Sequence, residues 1–196
     1  LKQEKKKLEN KMDIITEKIH NLRKENAQKL SEKINKELNE LEMKNAKINV
    51  HVDYLDEYLK TGKDIVEFYI ITNLGEDEKE LSKIASGGEM SRTMLAIKKV
   101  LADVDETPIL IFDEIDTGIS GKAANSVAQK LKAIANNHQI MCISHLPNIA
   151  AIADYNYFIS KNVINQRTRT SVKLLKEDEV VKEIARISSG EVNDIT

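Results

Sequence analysis

A chain of 196 residues with 30 Lys/Arg against 32 Asp/Glu carries a formal net charge of −2, which excludes nucleic-acid binding by bulk positive charge. Its single cysteine, Cys142, excludes an internal disulfide and a cysteine-held metal cluster, and fits a reducing compartment. No apolar run approaches the ~20 residues of a membrane span and the Lys/Glu-rich start is not a secretory signal, so a cytoplasmic protein is expected. The length suits one globular domain plus an appendage. The chain begins at Leu1, inside a helical pattern, and is expected to be part of a longer protein.

Residues 1–45 contain no Gly and no Pro. Apolar Leu1, Leu8, Met12, Ile15, Ile19 and Leu22 recur mostly in alternating steps of three and four, the seam of a coiled coil. The pattern breaks at Asn26 and resumes at Leu30, Ile34, Leu38 and Leu41, as in a stutter. So thin a stripe needs a partner helix, and a helix projecting from the body over roughly 65 Å is expected. From residue 46 the composition changes. Lys47–Tyr54 and Asp64–Thr72 read as strands joined by a turn at Thr61-Gly62. A helix follows over Gly88–Ala102, then an apolar strand Ile109–Phe112, whose apolarity on both faces points to a buried parallel strand. A helix over about Lys122–Asn136, a second buried strand Gln139–Ser144 and a short helix after Pro147 come next. Strands Tyr155–Ser160 and Arg167–Leu175 and a helix Lys176–Ile187 complete the chain. Strands alternating with helices predict an α/β domain over residues 46–196 with a mostly parallel sheet and flanking helices.

Ile109-Leu110-Ile111-Phe112-Asp113-Glu114 is a strand that carries two carboxylates to its C-terminal end, where α/β folds place ligands. This is the Walker B arrangement. One carboxylate can help to hold Mg²⁺ through water; the next, pointing the other way along the strand, can position an attacking water and take its proton. Alone, the same string reads equally as a strand ending in an acidic turn. Upstream, Ala85-Ser86-Gly87-Gly88-Glu89-Met90-Ser91-Arg92 leads into a helix. Two glycines let backbone N–H groups approach an anion, and the helix N-terminus favours negative charge there. The plainer reading makes Ser86 a helix N-cap. Downstream lie the turn-rich Asp116-Thr117-Gly118-Ile119-Ser120-Gly121 and, closing the next strand, Cys142-Ile143-Ser144-His145.

In this order and spacing, these strings resemble the C-terminal half of an ABC-type ATPase. The longer strings Ala85–Arg92, Ile111–Ala124 and Ser144–Asp154 are similar to the RecN family, SMC-like bacterial proteins of double-strand-break repair. Thr61-Gly62, Val66-Glu67-Phe68, Asn73-x-Gly75-Glu76 and Arg167-Thr168-Arg169-Thr170 fit as well, so the likeness runs from about residue 46 to the C-terminus. Leu74 stands where the family commonly has Pro. Nothing matches G-x-x-x-x-G-K-[ST]: Thr61-Gly62-Lys63 lacks the earlier Gly and the Ser/Thr.

The resemblance implies the C-terminal lobe of an ABC/SMC-type head, with residues 1–45 as the return helix of an antiparallel coiled coil. The Walker A motif would lie in an N-terminal half before that coiled coil. Two heads would sandwich two ATP molecules with Mg²⁺. Asp113 would be the Mg²⁺-associated residue and Glu114 the general base. Ser86, Gly87, Gly88 and Glu89 would form the signature that meets the γ-phosphate held by the opposite head. Asp116 would sit in the loop crossing the dimer interface, and His145 would be the switch histidine. Arg92 would salt-bridge within the head or help to couple nucleotide to DNA. The implied partners are the N-terminal half, a second head and DNA, with no membrane, in a nucleoid-associated cytoplasmic protein. Two other readings stay open: an ABC subunit of another system, such as transport, and a structural coiled-coil protein with a non-hydrolysing head. The stripe Arg167, Arg169 and Lys173 reads either as a DNA contact or as a solvated edge-strand face that discourages aggregation.

Because the triphosphate cradle is missing, the 196-residue chain alone is expected neither to bind Mg-ATP tightly nor to hydrolyse it. Calorimetric titration checks this, and a micromolar dissociation constant would contradict it.

Overall fold

The computed structural model describes residues 1–164 and 167–189. The chain divides into two compact units, Leu1–Ser86 with Arg92–Asp103, and Gly87–Ser91 with the residues from Val104 onward.

The first unit is built on helix α1, Lys2–Glu40, which runs along a hairpin of β1, Lys47–Leu59, and β2, Gly62–Ile71. A short third strand, β3, Lys79–Glu80, pairs antiparallel with β2. At the hairpin turn Gly62 takes φ +116°, which only glycine adopts without strain. The register sets Val52 opposite Val66 and Ile48 opposite Ile70, with a bulge between Tyr54 and Leu59 that absorbs β1's extra length.

Only part of the expected coiled-coil seam behaves as one. Leu8, Met12, Ile15 and Leu22 are exposed, as an unpartnered seam should be, whereas Ile34, Leu38 and Leu41, beyond the break at Asn26, are fully buried. Each such burial is worth about 1.5–3 kcal/mol. The helix therefore does not project freely. One face of it meets the hairpin, and in its first half that face is polar. Tyr58 Oη and Lys63 Nζ donate to Asp13 Oδ1 at 2.6 and 2.9 Å, and Lys63 lies 4.4 Å over the Tyr58 ring. Those two bonds hold the Asp13 carboxyl below the usual range. This tie is complete above about pH 4 and is lost as pH falls through the lowered value. His20 Nδ1 and Arg23 Nη1 reach the buried Asp64 at 2.7 and 2.9 Å, and Arg23 Nη2 donates to the Thr61 carbonyl at 2.8 Å. Further along, Asn35 bonds both the N–H and the C=O of Ile48, at 2.7 and 2.9 Å, and Ser31 Oγ accepts from Val50 N at 3.0 Å. The helix thus satisfies polar groups on the outer edge of β1 that would otherwise attract another strand. Lys63, the lysine of Thr61-Gly62-Lys63, belongs to β2 and to this interface, not to a phosphate loop.

The second unit holds β4, Ile109–Phe112, and β5, Gln139–Cys142, paired in parallel. Helix α2, Gly87–Leu101, contributes its first turn here. Helix α3, Gly121–Ile134, links β4 to β5 and buries Val127, Leu131 and Ile134. It packs on α4, Pro147–Ile152, which meets α5, Glu177–Ser189. Lys132 pairs with Asp154 at 2.7 Å. β6, Tyr157–Ile164, and β7, Arg167–Leu174, form an antiparallel hairpin. The α/β class stands, but the parallel part is confined to β4–β5 and the sheets together are mixed rather than mostly parallel. The reason is connection length: strands joined by a tight turn pair antiparallel, whereas β4 and β5 are separated by a whole helix. β4 and β5 also bury one face, not two. Ile109, Ile111, Met141 and Ile143 are 48, 67, 54 and 55% exposed, while Leu110 and Phe112 are buried. No described helix is long and apolar enough to cross a membrane.

Asp64→Ala leaves Arg23 and His20 without their buried carboxylate. It is expected to lower stability by about 2–3 kcal/mol, measured as a shift of the urea midpoint at unchanged slope.

Candidate functional site

The parallel register sets Phe112 opposite Cys142, so the two strands end at one level, and the N–H of Ile143 donates to Phe112 O at 3.0 Å beyond them. Asp113 and Glu114 leave one strand end, and Ser144 and His145 the other. Asp113 and Glu114 are exposed. Both lie past β4, so strand alternation does not aim them. Glu114 takes φ +56°, the left-handed region, costly for a glutamate. The turn is held by Glu114 N donating to Asp113 Oδ1 at 2.9 Å and Thr117 N donating to Glu114 O at 3.0 Å.

The start of α2 closes on this turn. Ser91 Oγ donates to the Asp113 carbonyl at 2.6 Å. Gly87 lies so near the Glu114 carboxylate that a Cβ there would stand 1.8 Å from Oε2. A methyl at 87 would therefore displace the flexible end of Glu114, not backbone. Gly87 is the first residue of the helix, whose N-terminal amides favour a carboxylate. Gly88 is buried and Glu89 half-buried. Ser86 occupies the N-cap position, but its side chain makes no capping hydrogen bond. Arg92 is buried.

Asp116 is turned inward and is 4% exposed. Its Oδ2 accepts from Ser144 Oγ at 2.5 Å and from His145 N at 2.8 Å, and lies 3.0 Å from His145 Nδ1. One carboxylate oxygen thus gathers the end of β5. The His145 side chain stays 76% exposed. A proton on Nδ1 facing Asp116 leaves Nε2 as the nitrogen free to reach another group. The structure accordingly brings Asp113, Glu114, Asp116 and His145 to neighbouring strand ends, with Gly87 against Glu114. It gives Asp116 a role inside the chain that the sequence reading, which set it in a loop between heads, did not contain. Ser91 and Ser144 were also missed. Both stand in the motif strings, but a serine carries no positional signal until the pairing of strands is known.

Half-buried at the end of β5, the Cys142 thiol is pushed up to about 12, first by desolvation and then by the negative charges of Asp116 and Asp113. Among the described residues, no group of three or more His, Cys, Asp or Glu forms a complete metal site.

No protein-family profile matches the chain. The SMC head domain of Pyrococcus furiosus, with an extended coiled coil and bound to the C-terminal domain of ScpA, superposes with a TM-score of 0.58. That match covers 95% of this chain and 44% of the other, at 20% identity. The fold is that of an SMC-type ATPase head, with α1 as the stub of its coiled coil. By sequence the chain is 41% identical over 190 residues to the DNA repair protein RecN of Halalkalibacterium halodurans, and 40% identical over 194 residues to that of Bacillus subtilis. These alignments cover 94 and 91% of this chain and 34% of each relative, so the chain spans about a third of the length of the relatives it matches. In sequence and in fold it matches the C-terminal lobe region of the head of bacterial RecN, an SMC-like ATPase.

With its thiol pushed far above the usual range, Cys142 stays almost wholly protonated at pH 8. The native chain is expected to resist iodoacetamide at that pH and to be labelled promptly in urea, read as a mass increment.

Proposed function

We propose that this chain is the half of a RecN-type head that supplies the Walker B carboxylates and the signature loop for ATP-driven head closure in double-strand-break repair. The observation that carries the reading is the parallel β4–β5 pair, which brings Asp113-Glu114 and Ser144-His145 to one level. Walker A comes from the N-terminal half of the complete protein. The same half covers the exposed apolar face of Ile109, Ile111, Met141 and Ile143; covering side chains about half exposed is worth roughly 1 kcal/mol each.

The residues fit Mg-ATP as one contribution among several. Mg²⁺ in such sites takes one or two carboxylates plus phosphate oxygens and water, and Asp113 is an exposed carboxylate at a strand end. Bound Mg-ATP supplies the phosphoryl group and the cation that offsets its charge. Glu114 orients a water and accepts its proton. Ser86, Gly87, Gly88 and Glu89 present hydroxyl and amide donors to the γ-phosphate held by the opposite head. His145 contacts that phosphate from the β5 end, and Asp116, 3.0 Å from its Nδ1, positions the imidazole. Gly87 and Glu114 touch within this chain, so the carboxylate has to leave Gly87 when the loop turns to a second head.

In the complete protein, Glu114→Gln is expected to lower ATP turnover by a factor of ~10²–10⁴, because an amide is not a base. Head association in ATP should persist or lengthen. Ser86→Arg is expected to abolish turnover too, but by crowding the loop and preventing closure. Gel filtration with and without ATP separates the two. Glu114→Gln heads that stay apart in ATP, or that turn over normally, would remove Glu114 from the role of base.

A further inference from the structure

The hairpin β6–β7 has a composition unlike the rest of the chain. Residues 157–174 contain Lys161, Arg167, Arg169 and Lys173 and no aspartate or glutamate, in a protein whose net charge is −2. The register sets Lys173 opposite Phe158, Arg169 opposite Asn162 and Arg167 opposite Ile164. Opposed residues and every second residue share a face, so the two arginines and Lys173 form one stripe. Between Arg169 and Lys173 the stripe is spanned by the Ser160–Ser171 hydroxyl pair at 2.7 Å.

The members of the stripe differ in what holds them. The Lys173 ammonium is taken by Glu179. Among the described residues, Arg167 and Arg169 have no ion pair and no side-chain hydrogen bond, and both are exposed along a strand with no buried residue. Two arginines whose backbones stand about 6.6 Å apart on one strand face carry like charges that repel each other. A face meant only to discourage strand pairing needs charge of either sign, and mixed signs would serve it without that repulsion. Like-signed, unpaired arginines are what a row of phosphates requires, since each guanidinium offers a planar fork of donors.

We infer that the β6–β7 ribbon contacts the phosphate backbone of duplex DNA through Arg167 and Arg169. The contact rests on charge and register; that the polyanion is DNA rests on the repair reading above. With the stripe directed at phosphates, binding is independent of base sequence.

The test is fluorescence anisotropy of the 196-residue chain with two blunt duplexes of unrelated sequence, titrated at several salt concentrations. Arg167→Ala/Arg169→Ala is expected to weaken binding about tenfold at low salt and to lower the slope of log K against log salt by about two, equally for both duplexes. Arg167→Lys/Arg169→Lys should keep the slope. Lys2→Ala/Lys6→Ala, which removes the same charge from α1, should change affinity less than twofold. Both arginines are exposed, so circular dichroism should not change. Wild-type affinity in the Arg→Ala pair, an equal loss in the α1 pair, or binding to an acidic peptide with none to DNA would overturn the inference. ATP-dependent head association, measured separately, would then still stand or fall on Glu114 and Ser86.

Discussion

Everything at the candidate site depends on two short strands running in the same direction and stopping together. Parallel pairing is impossible across a tight turn and needs an intervening element, here α3. In exchange, parallel strands deliver their C-terminal ends, and whatever follows them, to one edge. The in-register pairs Ile109–Gln139 to Phe112–Cys142, continued by Ile143 N to Phe112 O, set Asp113 and Ser144 side by side in space although 31 residues apart in sequence. Asp116 then fixes the level more tightly than the ladder alone. A buried carboxylate oxygen that accepts from a hydroxyl and a backbone N–H cannot move without leaving those donors or itself unpaired, a cost of about 1–3 kcal/mol.

The elements themselves were legible because their signals are local. The apolar string Ile109–Phe112, the helix start at Gly87-Gly88 and the strand of Ile48, Val50 and Val52 follow from pattern over a handful of residues, and the structure forms each of them. The pairing of the two buried-strand candidates was also legible, since a helix-length connection leaves little else. Strand exposure was not legible. Apolar residues on both faces of β4 read as burial on both faces, yet Ile111 is 67% exposed. Apolarity records what a strand is able to bury, while exposure records only what this chain covers.

Helix α1 carries the same lesson in another form. Its seam of Met12, Ile15, Ile19 and Leu22 was visible at once, because hydrophobic periodicity is what a sequence displays best. The face that meets the hairpin lies one residue further round and consists of Asp13, Thr16, His20 and Arg23. Such a stripe looks like solvated surface until the partners are known, since nothing in the sequence says that Asp64, Tyr54 and Tyr58 stand opposite. Past Asn26 the hairpin-facing stripe turns apolar at Ile34 and Leu38 and the two faces merge. The break in the heptad pattern therefore marks where the helix changes from offering its seam outward to burying it against its own hairpin.

Glu114 shows why strand alternation does not set the direction of a side chain beyond the end of the strand. Strand alternation sends consecutive side chains to opposite sides, and on that ground Asp113 and Glu114 divide metal and water between them. The strand, however, stops at Phe112, and Glu114 sits in a left-handed turn. A non-glycine residue there costs on the order of 1 kcal/mol or more and is kept only if the surroundings over-determine it. Here they do: the Asp113 carboxylate takes its N–H, Thr117 takes its carbonyl, and its own carboxylate lies on Gly87 at the start of α2. The direction of Glu114 is thus set by a turn and a helix start rather than by a pleat. Of the three constraints, one is a backbone bond, Thr117 N to Glu114 O, and one joins the Glu114 N–H to the Asp113 side chain. The third is a contact with the free end of a side chain. The Glu114 carboxylate can therefore swing without breaking either of those bonds, which is the freedom that the general-base role proposed for it requires.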